Sequence, residues 1–178
     1  MKKYQIIYAD PPWPHRSGSR RKVVPYPTMR INDICNLRVK NIIKRHSVLF
    51  LWTTDKYLKS AIEVMESWGF HYKTIAFTWV KKTSNNNLSL MVGGWTVKCT
   101  ELCLLGVRGK PHKLLKRRKG ILQLITARTA GHSVKPSIVR RYIELMFGPK
   151  VRKIELFARE KHKGWDVWGN EVKSDIEL

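Results

Sequence analysis

A chain of 178 residues, 43% of them hydrophobic and spread along its whole length, can bury a core around one sheet without disulfides or metal clips, which excludes a disordered polypeptide. Its 35 Lys and Arg against 13 acidic residues give a formal charge of +22, far beyond what solubility requires. Such a surface binds a phosphate backbone through counterion release, so the expected partner is nucleic acid, with a lipid surface or nonspecific stickiness as the blander alternatives. No segment approaches the roughly 20 apolar residues that cross a bilayer, and Met1-Lys2-Lys3 leads into a strand rather than a signal segment, so a cytoplasmic protein without a membrane partner is expected. Cys35, Cys99 and Cys103 form no C-x-x-C pair; they read as reduced packing residues, and no metal site is expected.

In chain order, Tyr4 to Ala9 is a short apolar run stopped by Asp10-Pro11-Pro12, a buried strand ending in a rigid turn. A basic loop from His15 to Lys22 follows, then a helix predicted over Asn32 to Lys44, with Asn32 or Asp33 as its cap. Val48 to Trp52 is a second strand, and Leu58, Ile62, Met65 and Trp68 recur at helical spacing up to Gly69. Thr74 to Val80, Leu102 to Val107 and Ile121 to Ile125 read as strands joined by polar loops. Pro136 suits the first turn of a helix running to about Phe147 and ended by Gly148-Pro149, and Lys153 to Phe157 is the last strand. The resulting order, β-α-β-α-β-β-β-α-β, implies an α/β fold: a mainly parallel sheet with helices on both faces, binding ligands at the carboxyl ends of its strands. One domain over residues 1–172 with a short tail at 173–178 is expected.

Asp10-Pro11-Pro12-Trp13 is the most informative stretch. The exocyclic amine of adenine is a poor nucleophile because its lone pair is delocalised into the ring. An enzyme that uses this amine needs acceptors to draw both hydrogens out of the ring plane. Asp10 can supply one and the Pro11 carbonyl the other, held rigid by the proline rings of Pro11 and Pro12, while Trp13 can stack on the base. The alternative is an ordinary turn with a core tryptophan.

The stretch resembles the DPPW-type, S-adenosylmethionine-dependent N6-adenine methyltransferases of the MT-A70 family, and the likeness continues in the family's order. It takes in Pro25-Tyr26-Pro27-Thr28-Met29, Leu49 to Thr54, Trp79-Val80-Lys81, Thr100 to Gly106 with Gly109, His132 to Pro136, Ile154 to Arg159, and Trp165 with Trp168 to Glu171. The resemblance implies a Rossmann-like methyltransferase fold whose catalytic motif precedes the cofactor strand. It places S-adenosylmethionine near Asp10, with Lys135 towards the methionine carboxylate, Glu155 and Arg159 near the ribose, and Asn170 and Glu171 near ribose and adenine. Glu160-Lys161-His162 departs from the family pattern, and no role is carried onto it.

For the substrate, Tyr26 can contact the base or close a loop over it, Trp52 can wall the pocket or belong to the core, and Glu101 can line the pocket or face water. Arg20 and Arg21 beside the catalytic turn, and Lys116, Arg117 and Arg118 in a loop between strands, can grip phosphates while the base is extruded, unless they are simply a solvated face. A zinc deaminase lacks its H-x-E and P-C-x-x-C motifs here, and a P-loop NTPase lacks its glycine-rich signature. The expectation is therefore methyl transfer to adenine N6, in DNA of a bacterial or phage-infected cell, by a monomer or homodimer rather than with an obligate partner subunit. An RNA substrate and a catalytically silent binder of the same fold are the alternatives.

Overall fold

The computed structural model describes residues 2–14, 27–115, 120–129 and 134–178. Its centre is strand β1 (Tyr4–Ala9), which is buried on both sides, as a strand covered by helices on two faces must be. Ile7 and Ala9 enter one apolar cluster, and Ile6 and Tyr8 the other. Near the start of β1 the amides of Gln5 and Ile6 both donate to the Arg152 carbonyl, at 3.0 and 3.2 Å, and the register with the next strand shifts. This irregularity brings Tyr4 onto the same face as Ile7.

Helix α1 (Ile31–Asn36) is shorter than the predicted span. A 3-10 turn follows over Val39–Ile42, and β2 (Ile43–Thr53) begins where helix was expected. The β-branched Ile42-Ile43 pair and Val39 are buried, and Leu37 adopts an extended ψ of 134°, so burial of this segment overrides its weak helical pattern. Neither Asn32 nor Asp33 caps the helix: Arg30 holds the N-cap position without a side-chain bond. Helix α2 (Leu58–Ser67) ends before Gly69, whose φ of +84° suits glycine. β3 (His71–Lys82) outruns its predicted ends. A two-stranded ribbon of β4 (Met91–Val92) and β5 (Val97–Lys98) stands where a polar loop was expected, with Trp95 fully exposed between its strands.

β6 (Thr100–Arg108) follows, then β7 at Leu124–Arg128, three residues later than predicted, because pairing with β3 aligns Thr78 with Leu124. Helix α3 (Ile138–Phe147) ends at Gly148, φ +79°, as predicted, and leads to β8 (Lys153–Leu156). The three-residue β9 (Asp166–Trp168), too short to announce itself in the sequence, pairs with β8. Residues 173–178 do not hang free: the Asp175 amide donates to the Val167 carbonyl at 2.8 Å, and Ile176 and Leu178 pack on the core.

The strands form one seven-stranded sheet in the order β7-β3-β6-β2-β1-β8-β9. All pairings are parallel except those of β6 with β2 and β3, so the sheet is mainly parallel with β6 reversed. α1 and α2 cover one face through Ile34, Ala61, Val64 and Met65, and α3 covers the other through Val139, Ile143 and Phe147. This is a Rossmann-like α/β fold. No helix among the described residues is long and apolar enough to cross a membrane.

Trp68 ties α2 to α1, since its buried indole N–H donates to the Ile34 carbonyl at 2.9 Å. Trp68→Phe keeps most of the packing but leaves that carbonyl without its donor, and should cost about 1–3 kcal/mol, read as a lower urea midpoint with an unchanged m value.

Candidate active site

The carboxyl ends of β1, β8 and β9 border one cleft, lined on one wall by Asp10, Pro11, Pro12 and Met29, and on the other by Phe157, Arg159, Trp168, Asn170 and Glu171. Residues drawn from both ends of the sequence thus share a single depression, where a parallel sheet is expected to bind ligands. The cleft is shaped by two tight turns. On the first wall, the Trp13 amide donates to the Pro11 carbonyl at 2.9 Å and the Met29 amide to the Pro12 carbonyl at 2.9 Å, locking the proline turn. The Pro11 oxygen keeps a second lone pair as an acceptor. On the second wall, Phe157 leaves β8 with φ +62°, a left-handed conformation uncommon for a bulky residue, and its ring meets Trp168 edge-on at 5.3 Å. Gly169 passes so close to this turn that an added Cβ would lie 2.3 Å from the Ala158 carbonyl oxygen. Glycine there lets Asn170 and Glu171 reach the cleft.

Beneath the first wall the Asp10 carboxylate accepts a hydrogen bond from Lys135 Nζ at 2.6 Å, and the same ammonium lies 3.3 Å from Glu101. Glu101 in turn pairs with Lys81. Burial pushes the Asp10 carboxyl above its ordinary range, with Lys135 pulling it down and Glu101 adding to the rise. Burial would also raise Glu101, but Lys135 and Lys81 hold it below the ordinary glutamate range. The Lys135 ammonium resists burial because Asp10 and Glu101 favour its charged form, so it stays protonated.

Not every residue singled out from sequence belongs to the cleft. Trp52 is fully buried, its indole N–H donated to the Tyr8 hydroxyl at 2.7 Å, so it is a core residue under the site and walls nothing open. Its ring lies 5.7 Å from Lys135 Nζ. Glu101 does not face water but sits in the ion-pair chain. Glu155 is engaged by Arg140 of α3 at 3.1 Å and is absent from the cleft lining. Pro11 and Pro12 fall where expected, and Trp13 is half-buried, stacked on Tyr57 at 5.8 Å with its indole N–H donated to the Trp52 carbonyl, so one of its faces is already taken. Arg159 lies 3.5 Å from Glu171 across the second wall. Arg20, Arg21, Tyr26, Lys116, Arg117 and Arg118 lie outside the described residues.

Lys81, Tyr57, Met29, Phe157 and Trp168 had no assigned role in the sequence. Lys81, Met29, Phe157 and Trp168 stand inside stretches that carried the family likeness, which was the signal available; Tyr57 had none.

Burial, partly offset by Arg140, pushes the Glu155 carboxyl up to about 7 from 4.5. A carboxyl whose pKa is higher folded than unfolded binds more protons in the native state, so its contribution to stability falls as pH rises between those two values. Glu155→Gln should flatten that part of the profile, leaving melting temperature less dependent on pH between 4.5 and 7 than in the parent protein.

Known proteins resemble this chain over nearly its whole length. The MT-A70 family matches residues 4–171. A type II methyltransferase, M.MunI of Mycoplasma sp, is 36% identical over 96% of this chain and 78% of its own length. A putative N(6)-adenosine-methyltransferase MT-A70-like protein of Medicago truncatula is 32% identical, and the N(6)-adenosine-methyltransferase catalytic subunit METTL3 of Homo sapiens is 29% identical, each over 96% of this chain. The chain spans only 26% and 28% of the length of those two relatives. With nearly its whole length matched and the proline turn at the carboxyl end of β1, the chain belongs to the MT-A70 family.

Proposed function

We propose that this chain is an S-adenosylmethionine-dependent methyltransferase that acts on the N6 amine of adenine in nucleic acid, with DNA as the polymer. The observation that carries this reading is the single cleft in which Asp10, Pro11 and Pro12 face Arg159, Asn170 and Glu171. An acceptor pair for an amine and a polar wall for a nucleoside cofactor meet there.

The donor set fits that cofactor. Asn170 and Glu171 offer donors and acceptors for ribose hydroxyls, Phe157, Trp168 and Met29 offer apolar surface for an adenine ring, and Asp10 offers a carboxylate for an ammonium. Lys135 and Glu155 complete the proposed set from beneath and behind the cleft, Lys135 through Asp10 and Glu155 through the Arg140 pair. When bound, the cofactor supplies an electrophilic methyl group. The protein contributes acceptors: the Asp10 carboxylate and the free lone pair of the Pro11 carbonyl each take one amine hydrogen, which localises the nitrogen lone pair away from the ring. Asp10 does this only while ionised, a state that Lys135 favours. The proton lost on methylation leaves to water.

For the polymer, Arg20, Arg21, Lys116, Arg117 and Arg118 hold phosphates, Tyr26 contacts the extruded base, and Trp52 and Glu101 support the pocket from below, Glu101 by way of Lys135. DNA is assigned because the chain is more alike to the type II methyltransferase, at 36% identity, than to the two N(6)-adenosine-methyltransferases, at 32% and 29%. The corresponding compartment is the cytoplasm of a bacterial or phage-infected cell.

Incubation with S-adenosylmethionine and matched DNA and RNA, single-stranded and duplex, should yield N6-methyladenine by mass spectrometry, most of it in DNA. Asp10→Ala should lower the yield by at least about 100-fold, as loss of a group that orients the reacting atom does. Tight binding without product on every polymer would instead favour a catalytically silent binder. Lys116, Arg117 and Arg118 changed together to Ala should raise the polymer concentration needed for half-maximal turnover and flatten the log–log salt slope by about 2–3.

A further inference from the structure

Four buried or half-buried charged groups of alternating sign, from separate parts of the chain, form a chain of ion pairs that begins at the cleft. Lys81 is near the end of β3, Glu101 is at the start of β6, Lys135 precedes α3, and Asp10 follows β1. Only Asp10 borders the cleft. Lys81 and Glu101 are 9% and 8% exposed, and the Lys81 ammonium also lies 5.1 Å from the Trp79 ring, so neither can exchange its partner for water without disturbing the core.

Two carboxylates and two ammoniums balance. Without Lys81, Asp10 and Glu101 would share the Lys135 ammonium and bury a net negative charge, which a low-dielectric interior resists by binding a proton or by drawing Lys135 away from one carboxylate. Either response deprives Asp10 of its ionised, oriented state. We infer that Lys81 is a positioning residue for Asp10: by neutralising Glu101 it leaves Lys135 seated on the Asp10 carboxylate. This rests on the reading of Asp10 as the acceptor for the amine. Among the described residues, the other charged or titratable groups acting on Asp10 are Arg159, which follows β8 and favours its ionised form, together with Glu155 of β8 and Cys103 of β6. Lys81 pairs with Glu101 and Glu101 with Lys135, so the chain through Glu101 is its route.

The test compares Lys81→Met, Lys81→Arg and Glu101→Gln with the parent protein by the pH profile of methyl transfer. A second readout is the titration of Asp10 itself, in protein carrying carbon-13 at aspartate carboxyls and assigned with Asp10→Asn. Removing the distant cation should move the Asp10 midpoint and the acidic limb of kcat up by about one pH unit. At a pH well below that midpoint this is about a ten-fold loss of kcat, shrinking towards parity above it, with KM for the polymer nearly unchanged. Lys81→Arg should restore the profile. Glu101→Gln removes an anion near Asp10 and should move the same midpoint down. A merely structural role for Lys81 predicts an equal loss at every pH with no movement of the Asp10 midpoint, and that outcome overturns the inference, as does a shift of the same sign in both charge-removing variants. Because the carboxyl titration needs no turnover, a parent protein that makes no product would refute the proposed activity and still leave the inference decided by the midpoints.

Discussion

Burying a carboxylate at the mouth of a cleft is costly, and the site depends on how that cost is offset. Asp10 sits against Lys135, Lys135 against Glu101 and Glu101 against Lys81, so no charge of the four lacks an opposite neighbour. The sheet topology makes this possible. A wholly parallel sheet would bring only strand ends to the carboxyl edge; reversing β6 brings its beginning there, with Glu101 on it beside the end of β3 that carries Lys81. The antiparallel strand thus serves electrostatics as well as connectivity.

Above this ionic floor the described walls of the cleft are rigid turns. Two prolines and two backbone hydrogen bonds fix one wall, and a left-handed Phe157 packed on Trp168 fixes the other. Strain of this kind persists only where surrounding contacts over-determine it. Tyr57 adds a brace from the second strand's end, stacking on Trp13 and donating its hydroxyl to the Pro14 carbonyl.

Much of this was legible in the amino-acid sequence, and the failures have physical causes. The buried strands β1 and β2 announced themselves as apolar runs stopped by Asp10 and Thr53, and α3 by its flanking proline and glycine. The predicted helix from Asn32 ran too long because Ile42 and Ile43 satisfy strand and helix patterns alike, and tertiary burial chose between them. The ribbon of β4 and β5 and the short β9 escaped because two- or three-residue strands leave no period to read. The burial of Trp52 in the core and the pairing of Glu155 with Arg140 were not legible for one reason: alternation along a strand says that neighbours face opposite sides, not which side faces a cleft. Lys81 went unassigned because its meaning lies in partners 20 residues and more away.

The spacing of those partners bears on how the protein comes into being. Asp10 and Lys135 are 125 positions apart, and β1 pairs with β8 near the far end of the chain. β1 can find β2 early during synthesis, but its other edge stays open until Leu156 has emerged, and the second wall needs Trp168 to Glu171 as well. Long-range closure of this kind is slow and leaves apolar strand edges uncovered meanwhile. A nascent chain therefore holds its most chemically committed residues, Asp10 and its prolines, in an unfinished state until more than 140 further residues have been made, and competence arrives when β8 and β9 dock.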